Sequence, residues 1–273
     1  KDKKGDGNIM NEKIIQKVRE NIPLIHHLTN APTMNFVANG TLAFGASPVM
    51  AKSIDEAADM AKNADAVYIN IGTVAAEDIP AMIAAGKAGN EKGIPVLVDP
   101  VGNAATPFRS QAVDRILAEV KPTVIKGNAG EIAHLAGMDW KVKGVDSVGD
   151  GNIEDAAKLV AEKYDTAVVV SGKTDVICVG ERIFTNDTGH HYLTLVTGGG
   201  CLLGSIMCSC LSTDDSIEEQ LLTAVEFYGL AAEYAVAQDH VKGPGTFMAT
   251  FLDALSMDTA ILKGEKQHES INS

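Results

Sequence analysis

The feature that most restricts the fold is a series of short apolar runs, each closed by a polar or glycine-rich turn and followed by a helical pattern. Ala66-Val67-Tyr68-Ile69-Asn70-Ile71-Gly72, Ile94-Pro95-Val96-Leu97-Val98, Thr123-Val124-Ile125-Lys126 and Ala167-Val168-Val169-Val170-Ser171 have almost no polar side. Strands that are apolar on both faces sit inside sheets covered on both faces, and such sheets are mainly parallel. Helical patterns over 76–91, 108–120, 129–136 and 153–164 alternate with these runs. The alternation predicts an α/β fold of three layers, with a mainly parallel central sheet and helices on both faces. Gly172-Lys173-Thr174-Asp175 has turn chemistry and precedes Val176-Ile177-Cys178-Val179, which predicts a β-hairpin at one edge.

Elsewhere the spacing predicts helices over 11–20, 33–44 and 54–63. Between them, His26 to Thr33 reads as a polar turn and Ala46 to Met50 as a tight connection of small residues. Val142 to Asn152 reads as a polar, Gly-rich loop. Short strands are expected at Arg182–Phe184 and near His191–Leu195, then a helix from Cys201 and helical stretches over 217–238 and 246–262. Neither a linker, a repeat nor a low-complexity segment interrupts residues 11–273, which are expected to form a single domain. The charged residues at 1–10 are expected to be a disordered extension.

A net charge of −13 argues against nucleic acid or an anionic membrane as partner, but leaves room for a small phosphorylated ligand. No run of about 20 apolar residues offers a membrane span. Cys178, Cys201, Cys208 and Cys210 contain no C-x-x-C pair, so zinc is not expected and reduced thiols in the cytoplasm are.

Parallel sheets bind ligands beyond the carboxyl ends of their strands. Asp99 ends one run, Lys126 and Asn128 another, with Glu131 one turn further; Ser171, Lys173 and Asp175 follow the next. Thr197-Gly198-Gly199-Gly200-Cys201 then leads into an apolar helix. Consecutive glycines can turn their N–H groups to one point, and a helix N-terminus adds a positive dipole there. The motif therefore reads as an anion hole with a thiol at its rim. Plainer readings stand beside this one: Asn128 and Glu131 have capping-box spacing, Asp99-Pro100 can open a turn, and triglycine can be a flexible connection. Two carboxylates at one sheet edge suit a hydrated Mg²⁺ that also binds substrate phosphates.

Several segments together resemble the hydroxyethylthiazole kinase family. They are Ile25 to Asn30, Asn39-Gly40, Gly45 to Met50, Asn70 to Thr73, Asp99 to Gly102, Gly127 to Glu131, the Cys201 motif and Lys242 to Gly245, in order over residues 11–262. The resemblance implies a ribokinase-like fold. It also implies phosphorylation of 4-methyl-5-(2-hydroxyethyl)thiazole by ATP and Mg²⁺ in thiamine salvage. Met50, Gly198 and Asn30 then match thiazole-binding positions. Lys126, Ser171 and Asn128 fall at the ATP, and Asp99 and Glu131 near magnesium. Cys201 stands where most ribokinase-like relatives carry an aspartate base, with Gly198, Gly199 and Gly200 completing the catalytic loop. The family is typically a homotrimer with sites between subunits. This chain has Lys126 where the family often has Arg, and all-glycine where it often has Thr-Gly-Thr-Gly-Cys. Two alternatives accompany this reading: a ribokinase-like enzyme acting on another small alcohol or on hydrated nicotinamide cofactors, and a non-catalytic thiazole- or nucleotide-binding protein.

Overall fold

The strands are β1 (Leu24–Leu28), β2 (Ser47–Met50), β3 (Ala66–Asn70), β4 (Val96–Asp99), β5 (Val124–Asn128), β6 (Ala167–Ser171), β7 (Asp175–Val179) and β8 (Arg182–Asn186). In the computed structural model, which describes residues 10–138 and 153–264, they form one eight-stranded sheet in the order β2-β1-β3-β4-β5-β6-β7-β8. Pairing is parallel from β2 through β6 and antiparallel from β6 to β8, so the hairpin lies at an edge as the turn chemistry predicts. The extension expected over 1–10 falls on undescribed residues except for Met10, and the loop expected over 142–152 lies wholly outside the described residues.

Right-handed crossovers dictate which face each helix covers. From β3 to β6 the chain advances in one direction across the sheet, and α4 (Asp78–Lys92), α5 (Pro107–Glu119), α6 (Ala129–Leu135) and α7 (Ile153–Tyr164) share one apolar layer. The step from β2 to β3 runs the same way, and α3 (Ala57–Asn63) joins that layer. The step from β1 to β2 runs backwards, which puts α2 (Met34–Phe44) on the opposite face with α1 (Glu12–Asn21). The later helices α8 (Gly199–Leu211), α9 (Ile217–Val236), α10 (Pro244–Leu255) and α11 (Thr259–Leu262) complete that second layer.

The helix expected from Cys201 starts two residues earlier, at Gly199, and the stretch expected as one helix over 246–262 is two, α10 and α11. Three further segments differ in kind from their sequence reading. His26 to Leu28, expected as turn, is strand: both imidazoles are buried because both find partners. His26 Nε2 is 2.6 Å from the Ala51 carbonyl oxygen, and His27 Nε2 is 2.7 Å from Ser205 Oγ. Ser47 to Met50, expected as a connection, is the edge strand β2, a place where Pro48 is tolerated without a ladder donor. His191–Leu195, expected as strand, is a 3₁₀ turn whose first residues are capped by His190, the imidazole Nδ1 accepting from the Tyr192 N–H at 3.2 Å.

Burial pushes the His27 pKa down to about 4. An unfolded histidine titrates near 6.5, so between those values the folded chain binds fewer protons than the unfolded one. His27's contribution is therefore complete above about pH 6.5 and is lost as pH falls toward 4, roughly 3 kcal/mol in all. Asp99, Glu131 and Asp175, whose carboxyl pKa values burial raises, act in the opposite sense over the same range. A difference measurement removes them. Urea unfolding is expected to show the wild type losing about 2 kcal/mol more than His27→Gln between pH 7 and pH 5; equal losses would mean that His27 is not held neutral.

Candidate active site

Side chains alternate across a strand, so parity decides which of them meet. Ala66 and Tyr68, Leu97, Val124, and Ala167 and Val169 pack in the layer of α8, while Val67, Ile69, Val96, Val98, Ile125, Val168 and Val170 pack in the other. Two residues further on, the same parity aims Asn70, Asp99, Lys126 and Ser171 at the α8 side. Each lies at or near the carboxyl end of its strand, with Asn70 registered against Asp99 and Asn128 against Ser171.

There Lys126 Nζ lies 3.1 Å from Asp99 Oδ2 and donates to the Gly200 carbonyl oxygen at 2.9 Å. Lys126 is 4% exposed and Asp99 1%, so this is a buried ion pair joined to the first turn of α8. Asp99 Oδ2 also meets Tyr68 Oη at 3.0 Å and Asn70 Nδ2 at 3.3 Å, and Tyr68 Oη lies 2.9 Å from the Cys201 carbonyl oxygen. Asn70 Nδ2 reaches Cys201 Sγ at 3.2 Å, and Asn30 Nδ2 reaches it at 3.6 Å. The thiol, the ion pair and the triglycine are thus one cluster. An ammonium has three donors; two of those on Lys126 are engaged within the chain, which leaves one for a ligand.

Electrostatics follow from the burial. Desolvation opposes the Lys126 charge, but the Asp99 carboxylate and its neighbours outweigh it and hold the lysine pKa above its ordinary range. Burial pushes Asp99 up, against the pull of the Lys126 ammonium and the Tyr68 and Asn70 hydrogen bonds. Glu131 is also raised, by burial and then by the Asp99 charge. Tyr68 is pushed well above the ordinary phenol value by burial and by Asp99, so its hydroxyl stays neutral.

Asn128 and Glu131 do form a capping box. Asn128 Oδ1 accepts from the Glu131 N–H at 3.0 Å, and Glu131 Oε2 accepts from the Asn128 N–H at 2.7 Å. Glu131 does more than cap, because its Oε1 accepts from the Gly102 N–H at 2.8 Å and ties the loop after β4 to α6. Asp175 accepts from Gly172 N–H at 3.1 Å and from Asn186 Nδ2 at 3.0 Å, which shapes the hairpin, while Lys173 is exposed. Ser171 is half-buried, its hydroxyl 3.4 Å from the Gly127 carbonyl oxygen. Met50 ends β2 opposite His27 and packs half-buried at the margin of the core layer that Cys201 also borders. Among the described residues, neither Ser171 nor Met50 is hydrogen-bonded to the central cluster.

Gly198 carries φ +95°, a conformation costly for any side chain, and a Cβ there would come within 2.9 Å of Thr33 Cβ. The Gly199 N–H is already taken by the Val196 carbonyl at 3.3 Å, and the Gly199 carbonyl accepts from Tyr228 Oη at 2.6 Å. Among the described residues, the N–H groups of Gly198, Gly200 and Cys201 have no acceptor. Gly198→Ala is expected to cost about 1–2 kcal/mol from the backbone alone. It also pushes on Thr33, whose hydroxyl donates to Asn30 Oδ1 at 2.8 Å, so activity is expected to fall further than thermal stability. Steady-state kinetics beside a melting curve checks this, and an unaltered kcat with a lowered Tm would contradict it.

Tyr68 and Asn70 are site residues that the strand pattern concealed. The signal was available: they are the polar members of one parity in a run whose other parity, Val67 and Ile69, is aliphatic. Among the described residues no group of three or more His, Cys, Asp or Glu side chains could cage a metal ion. No helix among them is long and apolar enough to cross a membrane.

The hydroxyethylthiazole kinase family model matches residues 15–260. Hydroxyethylthiazole kinase 1 of Oceanobacillus iheyensis is 55% identical over 257 residues, covering 94% of this chain and all of that protein. The solved structure of the hydroxyethylthiazole kinase protein from Pyrococcus horikoshii OT3 superposes with a TM-score of 0.82 at 34% identity, over 92% of this chain and 94% of its own. A ribokinase-like superfamily protein from Enterococcus faecalis V583 shares the fold, with a TM-score of 0.64 at 13% identity over 94% and 96% of the two chains. With this sheet order, this cluster at the strand ends and these likenesses over nearly the whole length, the chain belongs to the hydroxyethylthiazole kinase family.

Proposed function

We propose that this chain transfers the γ-phosphoryl group of ATP to the hydroxyl of 4-methyl-5-(2-hydroxyethyl)thiazole, a step of thiamine salvage. The observation that carries the reading is one cluster that joins the Asp99–Lys126 pair to the first turn of α8, with its unpartnered amides, and to the Cys201 thiol. Phosphoryl transfer depends on positioning and charge stabilisation more than on covalent chemistry, and this cluster provides both. The alcohol oxygen bonds to the γ-phosphorus while the bond from that phosphorus to the bridging oxygen breaks, its electron pair leaving with ADP. The hydroxyl proton passes to Cys201 Sγ. Lys126 and the amides of Gly198, Gly200 and Cys201 hold the migrating phosphoryl oxygens. Ser171 and Asn128 bind the nucleotide, and Met50, Gly198 and Asn30 seat the thiazole ring, Met50 as a soft, adaptable wall.

Magnesium fits the residues present. Asp99 Oδ1 is buried without a hydrogen-bond partner, while Oδ2 is fully engaged. Glu131 is a second buried carboxylate, close enough for the Asp99 charge to raise its pKa. One or two carboxylates plus phosphate oxygens and waters is the usual magnesium set, and Asp99 and Glu131 would supply the protein's share. When bound, the ion neutralises charge that develops on the phosphates.

The site is proposed to complete itself between subunits of a homotrimer. Exposed Leu42 of α2, Leu195 of the 3₁₀ turn and Met248 of α10 belong to elements that pack together on the side leading into the triglycine, and such a patch favours association. Light scattering should give the mass of three chains. With no C-x-x-C pair among them, the four cysteines are read as reduced thiols of a cytoplasmic protein. Residues 11–273 are read as one kinase domain.

A coupled ADP assay with the thiazole alcohol, pyrimidine alcohols and hydrated NADH tests the reading. ADP release is expected with the thiazole alcohol and not with the others. Release with another member of the panel would reassign the substrate, and binding of both ligands without ADP would make the chain a binding protein.

A further inference from the structure

The hydrogen-bond direction around Cys201 is fixed from one end. Gly72 N–H, which can only donate, points at the side-chain oxygen of Asn70 at 2.9 Å and so orients that amide. Asn70 Oδ1 also accepts from Asn30 Nδ2 at 2.9 Å, which orients the second amide. Each Nδ2 carries two hydrogens. One on Asn70 serves Tyr68 Oη and Asp99 Oδ2, and one on Asn30 serves Asn70 Oδ1; the remaining hydrogen of each faces Cys201 Sγ, at 3.2 and 3.6 Å. Sulfur flanked by two donors is an acceptor. Both amides are buried, so water does not substitute for them.

We propose that Asn70, assisted by Asn30, is a positioning residue that holds the Cys201 sulfur ready to accept the proton of the substrate hydroxyl, by donating to its lone pairs and stabilising the charge the sulfur carries when it reacts. The proposal rests on the phosphoryl-transfer reading above. In the step it supports, the alcohol's proton moves to the anionic sulfur as the new O–P bond forms and ADP departs, and the thiol later returns that proton to solvent. Asn70 takes no part in bond making, yet it links the sulfur to Asp99 through one amide group. Charge brought to Asp99 by a cation or by loss of Lys126 is therefore felt at the sulfur.

The test is alkylation of the full-length protein by iodoacetamide, without substrates, followed by mass spectrometry. Cys178, Cys208 and Cys210 are fully buried, which makes Cys201 the reactive thiol of the folded chain. Asn70→Asp keeps the shape and the acceptor for Gly72 but replaces the donor with a second acceptor. It is expected to lower the Cys201 alkylation rate at pH 7.5 at least tenfold and to lower kcat while KM for ATP changes less than threefold. Asn30→Ser, which removes the longer contact, is expected to slow alkylation two- to threefold, and it gives the same reading if Asn70→Asp does not fold. Wild-type alkylation rates in both folded variants, or a loss confined to KM, would overturn the proposal. The readout needs no turnover, so a chain that phosphorylates none of the alcohols would still decide it, and the two readings can fail separately.

Discussion

Lys126→Met is expected to lower kcat/KM for ATP by about 10²–10³-fold and to destabilise the fold by roughly 3–5 kcal/mol. Both effects have one origin. The lysine neutralises Asp99 in a place that water does not reach, and removing one member of a buried pair leaves the other charge uncompensated. Tyr68 and Asn70 still donate to Asp99 Oδ2, but neither carries charge. The melting temperature should fall on the order of 10 °C. Activity falls because the one ammonium donor left for phosphate goes with the side chain. Lys126→Arg is the informative companion. It keeps the charge and offers a planar fork to phosphate, so it is expected to retain most of the stability. A Lys126→Met protein that melts like the wild type would show that Asp99 is held neutral and that the pair is not ionic.

Cys201→Ala is expected to reduce kcat at saturating substrates by about 10²-fold, the low end of what a positioned base contributes, with KM for ATP nearly unchanged. The thiol is bonded to Asn70 and Asn30 and not to Lys126, so its loss should leave the grip on phosphate intact. An undiminished rate would assign the catalysis to Lys126, the amides and the cation, and would reduce the sulfur to a contact that shapes the pocket.

How far sequence could be read depends on what each residue must hide. β3, β4, β5 and β6 were legible because both faces are apolar, with Val67, Ile69, Val96, Val98, Ile125, Val168 and Val170 on one and Tyr68, Leu97, Val124 and Val169 on the other. β1 was not, because His26 and His27 look like turn residues until Ala51 and Ser205 arrive as partners from elsewhere in the chain. β2 was hidden by Pro48, acceptable only because the strand lies on an edge. The 3₁₀ turn after His190 imitates a strand because Tyr192 and Thr194 have strand-favouring side chains, yet the segment forms no ladder. At the site, Asp99 and Lys126 announced themselves as polar ends of apolar runs, and Cys201 as the thiol that follows three glycines. Tyr68 and Asn70 did not: their polarity is visible in the sequence, but its purpose appears only when α8 lies across them.

The reversal of strand order between β1 and β3 has an evolutionary reading. Two of the groups assigned to the acceptor alcohol, Asn30 and Met50, come from the early part of the chain, whereas those assigned to the nucleotide and its cation, Asp99, Lys126, Asn128, Glu131 and Ser171, come from the stretch after β3. On these assignments the alcohol and the nucleotide draw on largely different portions of the gene, and meet at the first turn of α8, where Gly198 and Cys201 serve both. Drift in the first portion can change what is phosphorylated while the energy source stays the same, which is the kind of modularity from which a family of small-molecule kinases can diversify.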